Sequence, residues 1–418
     1  MNHGDDQYEV VIAGAGPAGG QCARELAARD YDVLLLEAEP EEDFPRGSNK
    51  STGGTFPPAL SSFGLPDDVV MHYTDDVVLE SPNDHYVHPR PGAVLEFAEF
   101  KRFLVRDARE RGAEVRFGAR ANAPVMEGDE LVGVRHSGGE EVYADVVVDA
   151  TGPAAPLAKK LGVVDLERER QAIGIEYELD GIDLDCAGYA DLTDAMMLRL
   201  DHDLAPGGYS WIFHTGADTA KVGVCYVQND AHRGYAREGM TVDDYLQYWL
   251  DRDPRFEDAE RIAGKQHRGS AHIQPPGRMS TDSFLAIGDT VPTIDPLWGE
   301  GIHVCMKSGR AAAATIDRAF IPDERDTGAE NMAVYDHLWH EDVAPKMHRR
   351  LLLSNLVYLA SNERYDEFMR DLRRTDEDLL AGATRGTVRG IVSLLRLEDL
   401  SLVGRALKEQ FEQRRPFC

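Results

Sequence analysis

Lysine is scarce in this chain of 418 residues. It supplies nine of the 45 basic side chains, which face 74 acidic ones, and the formal net charge is −29. A field so negative repels the phosphates of DNA and RNA, so no nucleic-acid partner is expected. No single acidic tail carries the excess. The composition suits an intracellular protein of a salt-loving organism, where high ionic strength screens self-repulsion. Cysteine is sparse as well: Cys22, Cys186, Cys225, Cys305 and Cys418 form no CxxC pair and no ligand spacing. No metal is therefore expected, and the thiols read as reduced and cytosolic. Long apolar runs are missing too. Nothing approaches the 18 or so residues of a membrane-spanning helix, and MNHGDDQYE at the start lacks the apolar segment of a secretory signal. A cytoplasmic location follows as the expectation.

What the chain does have begins at residues 10–21, VVIAGAGPAGGQ. A buried strand breaks into glycine and re-forms as a helix with Ala18, Cys22 and Leu26 on one face, and a second strand, VLLL, then runs up to Glu37. Strand, glycine turn, helix and strand make the unit that holds a dinucleotide. Gly14 permits the tight turn, Gly16 lets backbone approach a pyrophosphate, and Gly19 seats the helix on the strand. Pro17 and Ala18 open the helix, whose free N–H groups face the phosphates. Glu37 is placed to accept hydrogen bonds from a ribose and disfavours a 2′-phosphate.

Much further along, FLAIGD ends at Asp289, and the loop TVPTIDPLWGEG leads into a helix from Ile302. An acid at that strand end is suited to the ribityl chain of a flavin. The helix opening at Gly299, Gly301 and Ile302 would aim N–H groups at the pyrimidine edge, where reduced flavin carries negative charge. The expected cofactor is FAD.

At 418 residues two or three lobes are expected. The pattern assigns 1–75, 98–165 and 280–325 to a discontinuous Rossmann-like FAD domain. Alternating stretches such as IGIEYEL, YSWIFHT and KVGVCYV place 76–97 and 166–279 in an antiparallel-sheet substrate domain. Residues 326–418 read as a helical region. The fold class is α/β, with an α+β substrate lobe. Tyr209, Trp211 and Phe213 alternate on one strand and make a flat apolar wall, suited to a polyprenyl chain or a flavin ring.

These residues resemble the archaeal geranylgeranyl reductases. The resemblance rests on GAGPAG (14–19), KSTGG (50–54), FKRFLVRDARERGAEVR (100–116), GYSWIFH (208–214) and GDTVPTIDPLWGEGIH (288–303), and covers about residues 8–320. It implies a two-dinucleotide-type flavoprotein that saturates isoprenoid double bonds of ether lipids or another polyprenyl substrate. It also implies substrate contacts at Tyr209, Trp211, Phe213 and His214, and adds Ala38, Thr52, Gly53 and Ala121 to the cofactor shell. The chain departs from the pattern at Thr52, where the family has a cysteine, at Phe97 for an arginine, and at His214 for a proline. Candidates for protonating the alkene are Tyr209, His214, Glu300 and His303. A transiently bound donor, reduced ferredoxin or NAD(P)H-linked, is expected to supply electrons.

Residues 381–418 carry seven basic and four acidic side chains. They either cap the substrate lobe as an amphipathic bundle or make peripheral contact with anionic lipid on the inner face of the membrane. Two other functions fit the same fold. An aromatic hydroxylase or halogenase would share the loops, though Thr151-Gly152 replaces the hydroxylase Asp-Gly and no lysine stands in a halogenase role. A non-catalytic prenyl escort protein would have lost the flavin-binding residues that remain here.

Overall fold

The computed structural model describes residues 6–47, 49, 52–321 and 325–413. The start of the chain, Lys50 and Ser51 of KSTGG, the basic pair Arg414 and Arg415, and Cys418 lie outside the described residues. Two eight-stranded sheets organise the rest. In the first, Gln7–Ala13 is flanked in parallel by Val33–Leu36 and Glu141–Asp149, with Glu114–Arg116 and Phe284–Ala286 beyond them. The hairpin Ala123–Glu127 and Glu130–Arg135 joins through Glu141–Asp149.

Val10, Val11, Ile12, Val146, Val147 and Val148 are fully buried, and such continuous apolar runs mark strands covered on both faces. The helices Pro17–Ala27 and Ile302–Phe320 pack against each other on this sheet. Gly309 lets them meet: a Cβ there would stand 2.3 Å from the Ala18 carbonyl oxygen.

The second sheet runs in the order Glu260–His272, Gln171–Asp180, Thr219–Val227, Gly208–Gly216, Ala195–Arg199, Val70–Glu80, His85–Leu95 and Gly54–Thr55. All neighbours are antiparallel except Ala195–Arg199 on Val70–Glu80. One face buries Ile175, Tyr177, Leu179, Ile212, Val222 and Val224 against the helix Val242–Leu250, through Tyr245, Leu246 and Trp249. The other face looks toward the first sheet.

The boundary expected at residue 75 falls inside the strand Val70–Glu80. The second sheet takes that whole strand and also Gly54–Thr55. Beyond Glu330 the chain is helical, as its pattern suggests. Leu353, Leu356, Tyr365, Met369, Leu402 and Ala406 form a separate core there, and Tyr209 and Leu297 pack against it.

Candidate active site

A cavity of about 1160 Å³ lies between the two sheets. Ordinary small-molecule pockets occupy roughly 300–1,000 Å³, so this one has room for a dinucleotide and part of a second molecule.

One end is built by the glycine turn. Gly14 has φ +106°, and a Cβ there would meet the Ala150 carbonyl oxygen at 2.5 Å. A Cβ on Gly19 would sit 2.0 Å from the Gly14 carbonyl oxygen, which fixes Gly19 as the helix-to-turn contact and keeps it off the cavity wall. Gly16 has open space beside it and caps the helix with no side-chain bond. The first helical N–H groups and Gly16 therefore form a cradle that any side chain would obstruct. Pro17 and Ala18 line it. Glu37 is buried, its two oxygens accepting from Ala15 N at 3.1 Å and Glu39 N at 3.0 Å. Each oxygen keeps a lone pair for a ribose hydroxyl. Ala38 and Ala121 complete this end.

Toward the middle, Gly288 (φ +58°) brings the end of Phe284–Ala286 onto the glycine-turn helix: a Cβ there would stand 2.6 Å from the Ala18 Cβ. Asp289 follows it into the cavity. Burial pushes its carboxyl up to about 6, and the Cys305 thiol, donating at 3.6 Å, only partly opposes this. An acid so weakly solvated suits a ligand that brings hydroxyl donors. Gly301 caps Ile302–Phe320 without any side-chain bond, leaving that helix N-terminus for a ligand. Thr52, Gly53, Gly299, Gly301 and Ile302 all border the cavity. The residues present thus fit a dinucleotide carrying a second ring system.

At the far end Tyr209, Trp211 and Phe213 line the wall together. Phe213 lies on Gly54, where a Cβ would meet its ring at 2.4 Å, and the Tyr209 hydroxyl covers Gly299. Of the four candidate proton donors, His214 and His303 do not border the cavity, and Tyr209 and Glu300 do. Burial raises both, and Arg90 and Lys307 oppose the rise at Glu300.

Two expectations need correcting. His303 is not on the wall, because its position on the helix turns it against Phe63, with ring centroids 5.9 Å apart. His214 is one residue out of phase with the aromatic face, so the strand's alternation sends it to the other side. There its ring lies against that of His72, tilted by 56°, and accepts from Asp194 N at 2.9 Å, while Nε2 meets the Ala217 carbonyl at 2.9 Å. Both ring nitrogens are thus engaged, although His72, Asp194 and His214 gather ligand-type atoms within 4.8 Å.

Comparison with known proteins gives the arrangement its relatives. The chain is 65% identical to the digeranylgeranylglycerophospholipid reductase of Haloferax volcanii over 97% of its own length and 99% of that protein's. It belongs to the digeranylgeranylglycerophospholipid reductase family. A reductase of the same name from Methanopyrus kandleri is 28% identical over 88% of this chain and 91% of its own. The model of the lycopene cyclase protein family matches residues 9–203.

The crystal structure of a geranylgeranyl bacteriochlorophyll reductase-like protein from Thermoplasma acidophilum has the same fold. Its TM-score is 0.80 at 21% identity, covering 98% and 99% of the two chains. The flavin-dependent brominase Bmp2 is a more distant fold-mate, with a TM-score of 0.72 at 20% identity and 98% and 100% coverage. No helix among the described residues of this family member is long and apolar enough to cross a membrane.

Sequence reasoning passed over two buried lysines and an acid. Lys101, one turn beyond Phe97 on Phe97–Glu110, is buried and lines the cavity beside the glycine-turn end. It restores a cation to the helix that lacks the family's arginine. Lys221 is buried too, but its ammonium donates to the Thr52 and Leu95 carbonyls at 2.9 and 3.0 Å, so it does not stand free for halogenase chemistry. Glu176 lies in the wall at 3% exposure. The signal available in sequence was scarcity, since an acidic chain with nine lysines places two of them here.

Proposed function

We propose that the protein is an FAD-dependent reductase that saturates the isoprenoid double bonds of geranylgeranyl ether lipids. The carrying observation is the 65% identity along almost the whole chain to a reductase of that substrate class. When bound, FAD supplies hydride chemistry. The turn at Gly14–Gly16 and the helix behind it would hold the pyrophosphate, with Lys101 as counter-charge. Glu37 would take the adenosine ribose, Asp289 the ribityl hydroxyls, and the N-terminus at Ile302 the pyrimidine edge. Tyr209, Trp211 and Phe213 would press the prenyl chain into register and exclude water from the reacting carbons. Electrons would come from a transiently bound donor, reduced ferredoxin or an NAD(P)H-linked protein.

The experiment is direct. Purified protein loaded with FAD is expected to be yellow, to bleach with dithionite, and to add two mass units per double bond to unsaturated archaeol, read by lipid mass spectrometry. A flavin-bound protein that leaves every polyprenyl lipid unchanged would refute the reading.

We further propose that the C-terminal helices rest on the lipid surface that holds the substrate. Val388 and Val392 on one helix, Leu397 in the link, and Leu400, Leu407 and Phe411 on the last helix are 49–88% exposed. They stand among Arg389 and Lys408 on a protein that is otherwise strongly acidic. Exposed apolar side chains beside basic ones suit an anionic membrane interface. Vesicles with anionic head groups should co-sediment the wild type and leave Leu400→Asp/Leu407→Asp in solution.

A further inference from the structure

The cavity-facing side of the second sheet carries a buried set of charges that the binding roles above do not use. In Gln171–Asp180 the alternation that sends Ile175 and Tyr177 to the helix side sends Glu176 and Glu178 inward. They are 3% and 4% exposed. Gly223 and His267 flank Glu176 in the strand pairing, and Lys221 faces Glu178. Gly223 makes the next contact possible. A Cβ there would lie 2.2 Å from Trp211 Cζ2, so without one the indole lies across the strand and its Nε1 donates to Glu176 Oε2 at 3.0 Å. Glu176 Oε1 has no hydrogen-bond partner among the described residues. The carboxyl borders the cavity next to Thr52, the position where the resemblance places the flavin.

Charge counting separates this acid from its neighbours. Lys265 donates to Glu96 Oε2 at 2.7 Å and to Glu178 Oε1 at 3.4 Å. The charge of Lys221 reaches Glu96 and Glu176 together. Two ammonium groups therefore serve three carboxyls beside His267, and of the three Glu176 and Glu178 are the ones deeply buried. A surplus negative charge there is expensive, and it is relieved by protonating the acid that no ammonium touches. That acid is Glu176. Burial raises its pKa, outweighing the opposing pull of Lys221, Thr52, Trp211 and His267. Glu300 Oε1 is likewise buried without a hydrogen-bond partner, but Arg90, Lys307 (shared with Asp342) and the adjoining helix N-terminus favour its carboxylate.

We propose that Glu176 is the proton donor to the alkene, an inference that rests on the reductase reading above. The alkene π bond is consumed and two C–H bonds form. One carbon takes the carboxyl proton of Glu176, leaving a carboxylate. The more substituted carbon, left electron-poor, takes hydride from a dihydroflavin, which is thereby oxidised. Glu176 regains its proton from solvent between turnovers, with His267 opposite it in the strand pairing.

Infrared spectroscopy of the flavin-free full chain near neutral pH tests the protonation without turnover. In difference spectra against Glu176→Gln, wild type and Glu300→Gln should both show the C=O stretch of a buried carboxylic acid, shifted in D2O. The flavin-loaded Glu176→Gln should retain flavin and bleach with dithionite as wild type does, yet saturate lipid about 10²–10⁴-fold more slowly. Glu176→Asp should keep the band and part of the turnover, which covers the case of a Gln variant that does not fold. The absence of that difference band, or its loss in Glu300→Gln, overturns the proposal. So does lipid saturation by Glu176→Gln at the wild-type rate. Wild type that binds flavin but saturates no geranylgeranyl lipid overturns the reductase reading itself, and the proposal with it.

Discussion

At the scale of single residues, Asp289 is held in a state that only a ligand relieves. An aspartate ordinarily titrates near 3.8, and burial lifts this one to about 6. The folded chain therefore binds the proton more tightly than the unfolded chain does. Its stability falls as pH rises through the window between those values, by up to roughly 3 kcal/mol once Asp289 is ionised. Asp289→Asn removes the penalty. The flavin-free variant is expected to melt higher than wild type at pH 7.5, with the difference shrinking toward pH 5, while the same substitution weakens flavin retention on gel filtration. A variant that loses stability at pH 7.5 would contradict this account. The two outcomes point in opposite directions because the carboxylate serves binding rather than folding.

At the scale of elements, the nucleotide-binding half was legible because its signals are local. Gly14 and Gly16 sit between an apolar strand and an apolar-faced helix that contains Gly19, and Asp289 follows three residues after a short, wholly buried strand. The hairpin Val70–Glu80 and His85–Leu95 was harder to read, since its sequence mixes acids, histidines and two prolines with few alternating apolar residues. Glu260–His272 is an edge strand, mostly exposed and broken by Gly264 at φ +78°, so it offers no period-two apolar stripe. Glu176 and Glu178 escaped notice for a different reason. Alternating polar residues ordinarily face water, whereas here the second face of the sheet is a cavity wall. His214 was legible in principle, since alternation already excludes it from the face of Trp211.

The pair Pro17–Ala27 and Ile302–Phe320 yields an element-scale prediction. With the Ala18 oxygen at 2.3 Å and Cys22 N at 3.0 Å from any added Cβ, Gly309→Ala must prise the two helices apart. A loss of about 1–3 kcal/mol in denaturant unfolding is expected, together with weaker flavin binding, because both helix N-termini face the cofactor end. Unchanged stability would mean that the helices slide freely past each other.

At the scale of the whole molecule, a formal charge of −29 predicts dependence on salt. The screening length shortens from about 10 Å to about 3 Å between 0.1 and 1 M, so the melting temperature should climb across that range in KCl. Sucrose at matched osmolality should produce much less of that gain. The position of the cavity has a further consequence. Much of the space between the facing surfaces of the two sheets is a binding chamber, beside an apolar seam of Ala93, Leu95, Leu104, Ile302 and Met306, and the short strand Gly54–Thr55 ties one sheet to the loop that borders the other's ligand. Whatever fills the chamber is therefore the mortar of the joint. Calorimetry of flavin-loaded protein should give one sharp endotherm, and stripping the flavin should split it into two, as the halves come to melt on their own terms.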